Sequence, residues 1–96
     1  MGTMPPSIWN MNPVEFLEHI RETMPAGYTL TKWFDPPNRL AKMAFVEHNG
    51  FREEVLVGYF TLKNQDANGQ KKIVWDAVTD AIRKLREKEG ASCPVR

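Results

Sequence analysis

Two adjacent lysines, Lys71 and Lys72, stand where the sequence predicts the start of a helix. After them, apolar residues recur at the spacing of one helical stripe: Val74, Ala77, Val78, Ala81, Ile82 and Leu85. The first turn of a helix exposes backbone N–H groups, so each cation there forgoes roughly 0.3 to 1 kcal/mol. A bound phosphate would reverse this penalty, because the ammonium groups, the N–H groups and the helix dipole would all favour the anion. The pair therefore indicates either an anion site or ordinary solvated side chains on an exposed turn.

The other residues capable of chemistry do not predict a catalytic or metal site. His19 and His48 are the only histidines, and neither is predicted to converge with the two or three further ligands that a metal site needs. Glu53 and Glu54 are adjacent, so on a strand their carboxylates point to opposite faces and cannot act on one bond. Cys93 is the single cysteine, which excludes a disulfide framework. We therefore predict no enzyme activity, no metal and no cofactor in this chain alone.

The composition is that of one small globular domain. The chain has 96 residues, 42% of them hydrophobic and 26% charged, and its net charge is +1. Any binding of anions must therefore come from a local cluster of cations. No apolar run approaches the ~18 to 20 residues of a membrane span, and no signal peptide is recognisable, so we expect an intracellular protein. We predict a flexible leader at residues 1–11, one domain at 12–90 and a disordered tail at 91–96.

Both predicted helices have marked ends. The first runs through NPVEFLEHIRETMPAG, with Asn12 as the N-cap, Pro13 at the first helical position, and Pro25 and Gly27 as the stop. The second is expected to end at Gly90, after a last turn rich in basic residues.

Three segments between the helices predict antiparallel strands: YTLTKWF, LAKMAFVE and EEVLVGYFTL. The first strand ends at DPPNR because proline cannot donate to a ladder, and HNG predicts a tight turn between the second and third strands. Since each helix has one apolar face, we predict an α+β fold. It is a two-layer sandwich of order α-β-β-β-α, with a three-stranded antiparallel sheet and both helices on one face.

Both faces of the predicted sheet carry apolar side chains, although a sheet with one wet face should alternate more cleanly. Alternation places Trp33 on the opposite face to Leu30 and Phe34. In the third strand it places Val55, Val57 and Tyr59 on one face and Leu56 and Phe60 on the other. The face away from the helices therefore needs an explanation.

Two explanations remain open for that face. In the first, the leader folds across the face with Ile8 and Trp9, or twist leaves its residues half-buried. In the second, the face binds a protein partner or a second copy of the chain. In the second case the candidate contact residues on the sheet are Trp33, Leu56 and Phe60. Trp75, which flanks the apolar stripe of the second helix, is either a further contact or a partial core residue.

The order of elements together with the Lys-Lys motif resembles the double-stranded-RNA-binding domain. The matching segments are NPVEFLEHI, AGYTL, DPPNR and NGQKKIVWDAVTDAIRKL, and the resemblance covers about residues 12 to 88. It implies non-catalytic, shape-directed binding of double-stranded RNA, either as an independent module or as an accessory domain of an RNA-processing enzyme.

The resemblance also implies roles for five residues. Glu18 matches an acidic residue of the first helix that accepts from 2′-hydroxyls, and Asn38 and Arg39 fall in a loop that enters a second minor groove. Lys71 and Lys72 match lysines that meet phosphates across the intervening major groove.

The sequence departs from the family pattern at three places. Trp75 stands where the family has a third lysine, Gln70 replaces a serine that often caps the second helix, and the loop lacks its histidine. Loss of one of about three central cations predicts weaker binding with a flatter salt dependence. The alternative is a domain of the same fold that dimerises or binds protein, with weak or no RNA binding.

Overall fold

The computed structural model describes residues 6–92, which form an α+β domain. A 3-10 helix (Pro6–Asn10) precedes the main elements, which are α1 (Pro13–Glu22), β1 (Thr29–Leu30), β2 (Ala41–His48), β3 (Phe51–Gly58), α2 (Tyr59–Lys63) and α3 (Ala67–Ser92). The strands form one antiparallel sheet in the order β1-β2-β3. The predicted fold class is confirmed, and the structure adds two short helices to it.

Helix α1 has the ends that the sequence predicts. The side-chain oxygen of Asn12 accepts a hydrogen bond from the backbone N–H of Glu15 at 2.8 Å, and Pro13 occupies the first turn. The helix closes at Thr23, and Gly27 follows with a φ of 84°, a conformation that favours glycine.

The hairpin between β2 and β3 fixes the register of the sheet. His48 pairs with Phe51 across a two-residue turn in which Asn49 and Gly50 have φ values of 51° and 81°. Positive φ at both central positions is the geometry predicted for HNG. The resulting register sends alternate residues of both strands, such as Ala44 and its partner Val55, into the core.

The first predicted strand is interrupted by a bulge. Thr31 donates its N–H to the carbonyl of Phe45, whereas Phe34 and Met43 exchange two backbone hydrogen bonds of 2.9 Å. The segment advances by three residues from Thr31 to Phe34, whereas β2 advances by only two, from Phe45 to Met43. The first segment therefore contains one extra residue, which is a β-bulge. The bulge reverses the alternation, leaving Leu30 buried and Phe34 partly exposed on the other face. The prediction that these two residues share a face was wrong.

The third strand ends earlier than predicted. Tyr59 and Phe60 belong to α2, so Phe60 does not lie on the sheet. The N–H of Tyr59 donates to the carbonyl of Leu40 at 2.9 Å, which ties the start of α2 to the segment that leads into β2.

Helix α3 begins before the two lysines. The Asp66 side chain accepts from the N–H of Gly69 at 2.7 Å, and the Asp66 carbonyl accepts from the N–H of Gln70 at 2.9 Å. Asp66 is therefore the N-cap, and Lys71 and Lys72 lie in the second turn, where backbone N–H groups have intrahelical partners. The prediction that these lysines open the helix was wrong.

The ends of the domain also differ from the prediction. Residues 6–10, assigned to a flexible leader, form the 3-10 helix, and Ile8 is fully buried in the core on the helix side of the sheet. Helix α3 continues through Gly90 to Ser92, so Gly90 is not its cap. Residues 1–5 and 93–96 lie outside the described residues.

The core lies between the sheet and the helices α1 and α3, with the 3-10 helix closing one side. Its buried side chains are Ile8, Phe16, Ile20, Leu30, Ala44, Val46, Val55, Val57, Val74, Trp75, Val78, Ala81, Ile82 and Leu85. Each large one contributes about 1.5 to 3 kcal/mol by leaving water. None of the helices within residues 6–92 is long and apolar enough to cross a membrane.

Candidate functional site

Lys71 is a buried structural cation. It is 5% exposed, and its ammonium group donates to the main-chain carbonyls of Ile8 at 3.0 Å, Trp9 at 3.1 Å and Met11. These contacts use the three donors of the ammonium group and satisfy carbonyls at the C-terminal end of the 3-10 helix. In this arrangement Lys71 fastens the 3-10 helix to α3 and offers no donor to a phosphate.

Lys72 has the accessible position that was predicted for both lysines. Its side chain is 65% exposed, and its ammonium group lies 2.7 Å from a carboxylate oxygen of Asp76, one turn further along the helix. An exposed pair of this spacing stabilises a helix by only about 0.3 to 0.5 kcal/mol, so an external anion can compete for the lysine.

The other three predicted RNA contacts are exposed, and the two charged ones are paired. Glu18 lies 3.0 Å from Arg21 on α1, and Arg39 lies 3.5 Å from Glu54 of β3. Asn38 lies in the turn before β2. These ion pairs belong to different parts of the surface and do not join the predicted residues into one network.

Two of the predicted partner contacts face inward. Trp75 is 5% exposed and belongs to the core, so of its two predicted roles the core position is the one observed. The signal for this is its spacing, since Trp75, Val78 and Ile82 fall at i, i+3 and i+7 on the buried face. Trp33 packs against the core because the bulge turns it to the helix side of the sheet.

The opposite face of the sheet carries a continuous apolar row. Phe34 bridges to Met43, and Met43 pairs with Leu56, so the row crosses the whole sheet. Phe45 lies on the same face and stacks against Phe34, with ring centroids 6.2 Å apart. Phe34 and Leu56 are each 42% exposed, and Met43 between them is 9% exposed. We call Phe34, Met43, Phe45 and Leu56 the sheet patch; of these, only Leu56 was a predicted contact.

Two ion pairs border the sheet patch. Arg52 lies 2.6 Å from Glu47, and its guanidinium group sits 4.5 Å from the centroid of the Phe45 ring. Arg39 and Glu54 form the second pair at 3.5 Å. The border therefore offers as many cations as carboxylates, and the stacked arginine covers part of the Phe45 ring.

A hydrogen bond joins the loop after Phe34 to the start of α2. Tyr59 donates its phenol O–H to Asp35, and Lys42 lies 3.3 Å from the same carboxylate. The Tyr59 hydrogen bond, followed by that of Lys42, lowers the pKa of Asp35 below its usual value. The same bond raises the pKa of Tyr59, because ionisation would place two negative charges in contact.

At the other end of the domain, His48 links the hairpin to the C-terminal half of α3. Its Nδ1 lies 2.8 and 2.9 Å from the two carboxylate oxygens of Glu89. The imidazole also stacks on Tyr28, with ring centroids 4.0 Å apart and planes 1° from parallel. This cluster holds the ends of three elements together.

Within residues 6–92, no group of three or more histidine, cysteine, aspartate or glutamate side chains is arranged to hold a metal ion. Comparison of this chain with family models, with curated proteins and with solved structures finds no match.

Proposed function

We propose that this chain is a protein-interaction module that self-associates through the sheet patch. The observation that supports this proposal is the apolar row of Phe34, Met43 and Leu56 on the face opposite α1 and α3. Contiguous apolar surface with a polar border is characteristic of contact sites, because its burial is favourable only when a partner covers it.

The charges around the patch favour a second copy of the same chain over a polyanion. Its two cations, Arg39 and Arg52, each lie beside a carboxylate, so the border has no excess positive charge. In a two-fold arrangement the same surface meets itself, and the arginines of one copy can face the glutamates of the other. A border with equal numbers of both charges is suited to this pairing.

The size of the sheet limits the area that the association can bury. With eight residues each, β2 and β3 span about 27 Å, and three strands span about 14 Å. The face therefore offers roughly 400 Å² per copy, below the ~800 Å² per partner of standard stable interfaces. We expect a weak dimer, with a dissociation constant in the range of tens to hundreds of micromolar.

Sedimentation equilibrium from about 10 µM to about 1 mM tests the proposal over the range of a weak dimer. The wild-type chain should pass from monomer to dimer, and Leu56→Lys should stay monomeric because it places a charge within the sheet patch, at the β3 end of the row. Val14→Lys is the matched control, since Val14 is 73% exposed on α1, away from the sheet. A wild-type monomer at every concentration, or equal effects of the two substitutions, would contradict the proposal.

Binding of double-stranded RNA is a weaker proposal, and it now depends on Lys72. Lys71 is enclosed by backbone carbonyls, and Trp75, at the position of the third lysine, is in the core. A single accessible lysine predicts low affinity with a shallow salt dependence. Titration of a ~20-base-pair duplex at two salt concentrations distinguishes the cases. If RNA binds there, Lys72→Ala weakens the binding; if neither protein binds at low salt, the RNA proposal fails.

A further inference from the structure

A pocket of about 130 Å³ lies between α1, the bulge and the start of α3. Its walls are mostly apolar and include Phe16, Leu17, Val57, Leu62 and Val74. An apolar cavity of about 150 Å³ in another protein holds benzene, so this volume suits a ligand of about that size. The pocket lies on the helix side of the sheet and is separate from the sheet patch.

The Trp33 indole is the polar group of the pocket wall that lacks a partner. Its Nε1 is closed off from water and has no hydrogen-bond acceptor among residues 6–92. Buried donors in native proteins nearly always have a partner, so a donor without one beside a pocket points to an absent acceptor. Since Nε1 is closed off from water, it does not border the open space of the pocket, and donation to a ligand there requires rotation of the indole.

The other donors around the pocket are engaged. Lys71 binds three carbonyls, and the Gln70 amide donates to the carbonyl of Leu62 at 2.8 Å. Lys42 is paired with Asp35 at 3.3 Å. A carboxylate ligand would lose its hydration without gaining a dedicated cation, whereas a neutral carbonyl oxygen needs only one N–H donor.

We propose that this pocket binds an uncharged aromatic compound of about benzene size that carries one carbonyl oxygen. The ring occupies the apolar space between Leu17 and Val74, and the Trp33 indole turns so that its N–H donates to the carbonyl. The site is independent of the sheet patch, so self-association and ligand binding succeed or fail separately.

Acetophenone and ethylbenzene are suitable probes, because they have nearly the same shape and differ in the carbonyl oxygen. Methyl resonances of Leu17, Val57, Leu62 and Val74 should shift on titration with acetophenone. Acetophenone should bind about three- to tenfold more tightly than ethylbenzene, the ratio expected for one net hydrogen bond.

Three variants test the proposal. Trp33→Phe keeps an aromatic ring but removes the N–H, so it should abolish the preference for acetophenone. Ala67→Phe, at an exposed position on the pocket rim, should reduce binding of both probes. Trp9→Phe, in a side chain outside the pocket, should leave the preference unchanged. Absence of methyl shifts in the wild-type chain, equal affinities for the two probes, or a preference that survives in Trp33→Phe would overturn the proposal.

Discussion

Replacement of Lys71 by methionine measures how much this buried cation stabilises the domain. Methionine keeps the unbranched apolar stem and removes the ammonium group, so the carbonyls of Ile8, Trp9 and Met11 lose their common donor. A hydrogen bond to a charged group is worth about 1.5 to 3 kcal/mol, and a buried acceptor left without a partner costs about 1 to 3 kcal/mol.

The loss of stability should be smaller than the sum of these energies, because the domain can release the 3-10 helix and let water reach the carbonyls. Release exposes Ile8, whose complete burial contributes about 1.5 to 3 kcal/mol. The loss in the free energy of unfolding should therefore be about 1.5 to 3 kcal/mol, since the response that costs less limits it.

The free energies of unfolding of Lys71→Met and of the control variant Lys72→Met can be compared by urea denaturation. Lys72 has only its exposed pairing with Asp76, so its loss should change the free energy of unfolding by no more than about 0.5 kcal/mol. Amide hydrogen exchange should also accelerate in residues 8–11 of Lys71→Met and stay slow there in Lys72→Met. Equal and small losses for the two variants would refute the structural role of Lys71.

Three further predictions follow from individual contacts. The phenol of Tyr59 should titrate above the ordinary tyrosine pKa, and Asp35→Asn should return it towards that value in a phenolate absorbance titration. The stabilisation from this bond is lost as pH rises through the raised pKa of Tyr59 or falls through the lowered pKa of Asp35. Trp75→Ala should lower the free energy of unfolding by about 3 to 5 kcal/mol in urea denaturation, whereas a surface contact residue would lose little. Gly50→Ala should cost about 1 to 2 kcal/mol in thermal unfolding, because φ is 81° and an added Cβ meets no atom, leaving backbone strain alone.

The fold was predictable because its main signals are local. Asn12 and Pro13 mark the start of α1, and Asn49 with Gly50 defines the turn that sets the register of β2 and β3. The bulge before Phe34 was not predictable in this way, since YTLTKWF continues with strand-forming residues through it. One inserted residue then exchanged the faces of Trp33 and Phe34, so the predicted contact surface contained the wrong aromatic residue.

The roles of Lys71 and Lys72 depend on their positions relative to the apolar stripe of α3, which the Lys-Lys motif alone does not give. Lys71 is three residues before Val74 and four before Trp75, so the buried stripe of α3 extends back to Lys71 and leaves Lys72 outside it. A lysine on a buried stripe needs acceptors from within the fold, which the end of the 3-10 helix supplies. A lysine off the stripe keeps its charge at the surface, where an external anion can reach it. Adjacent lysines near the start of an amphipathic helix therefore have different roles, according to whether each lies on the buried stripe or outside it. This position can be determined from the sequence once Asp66 is identified as the N-cap of the helix.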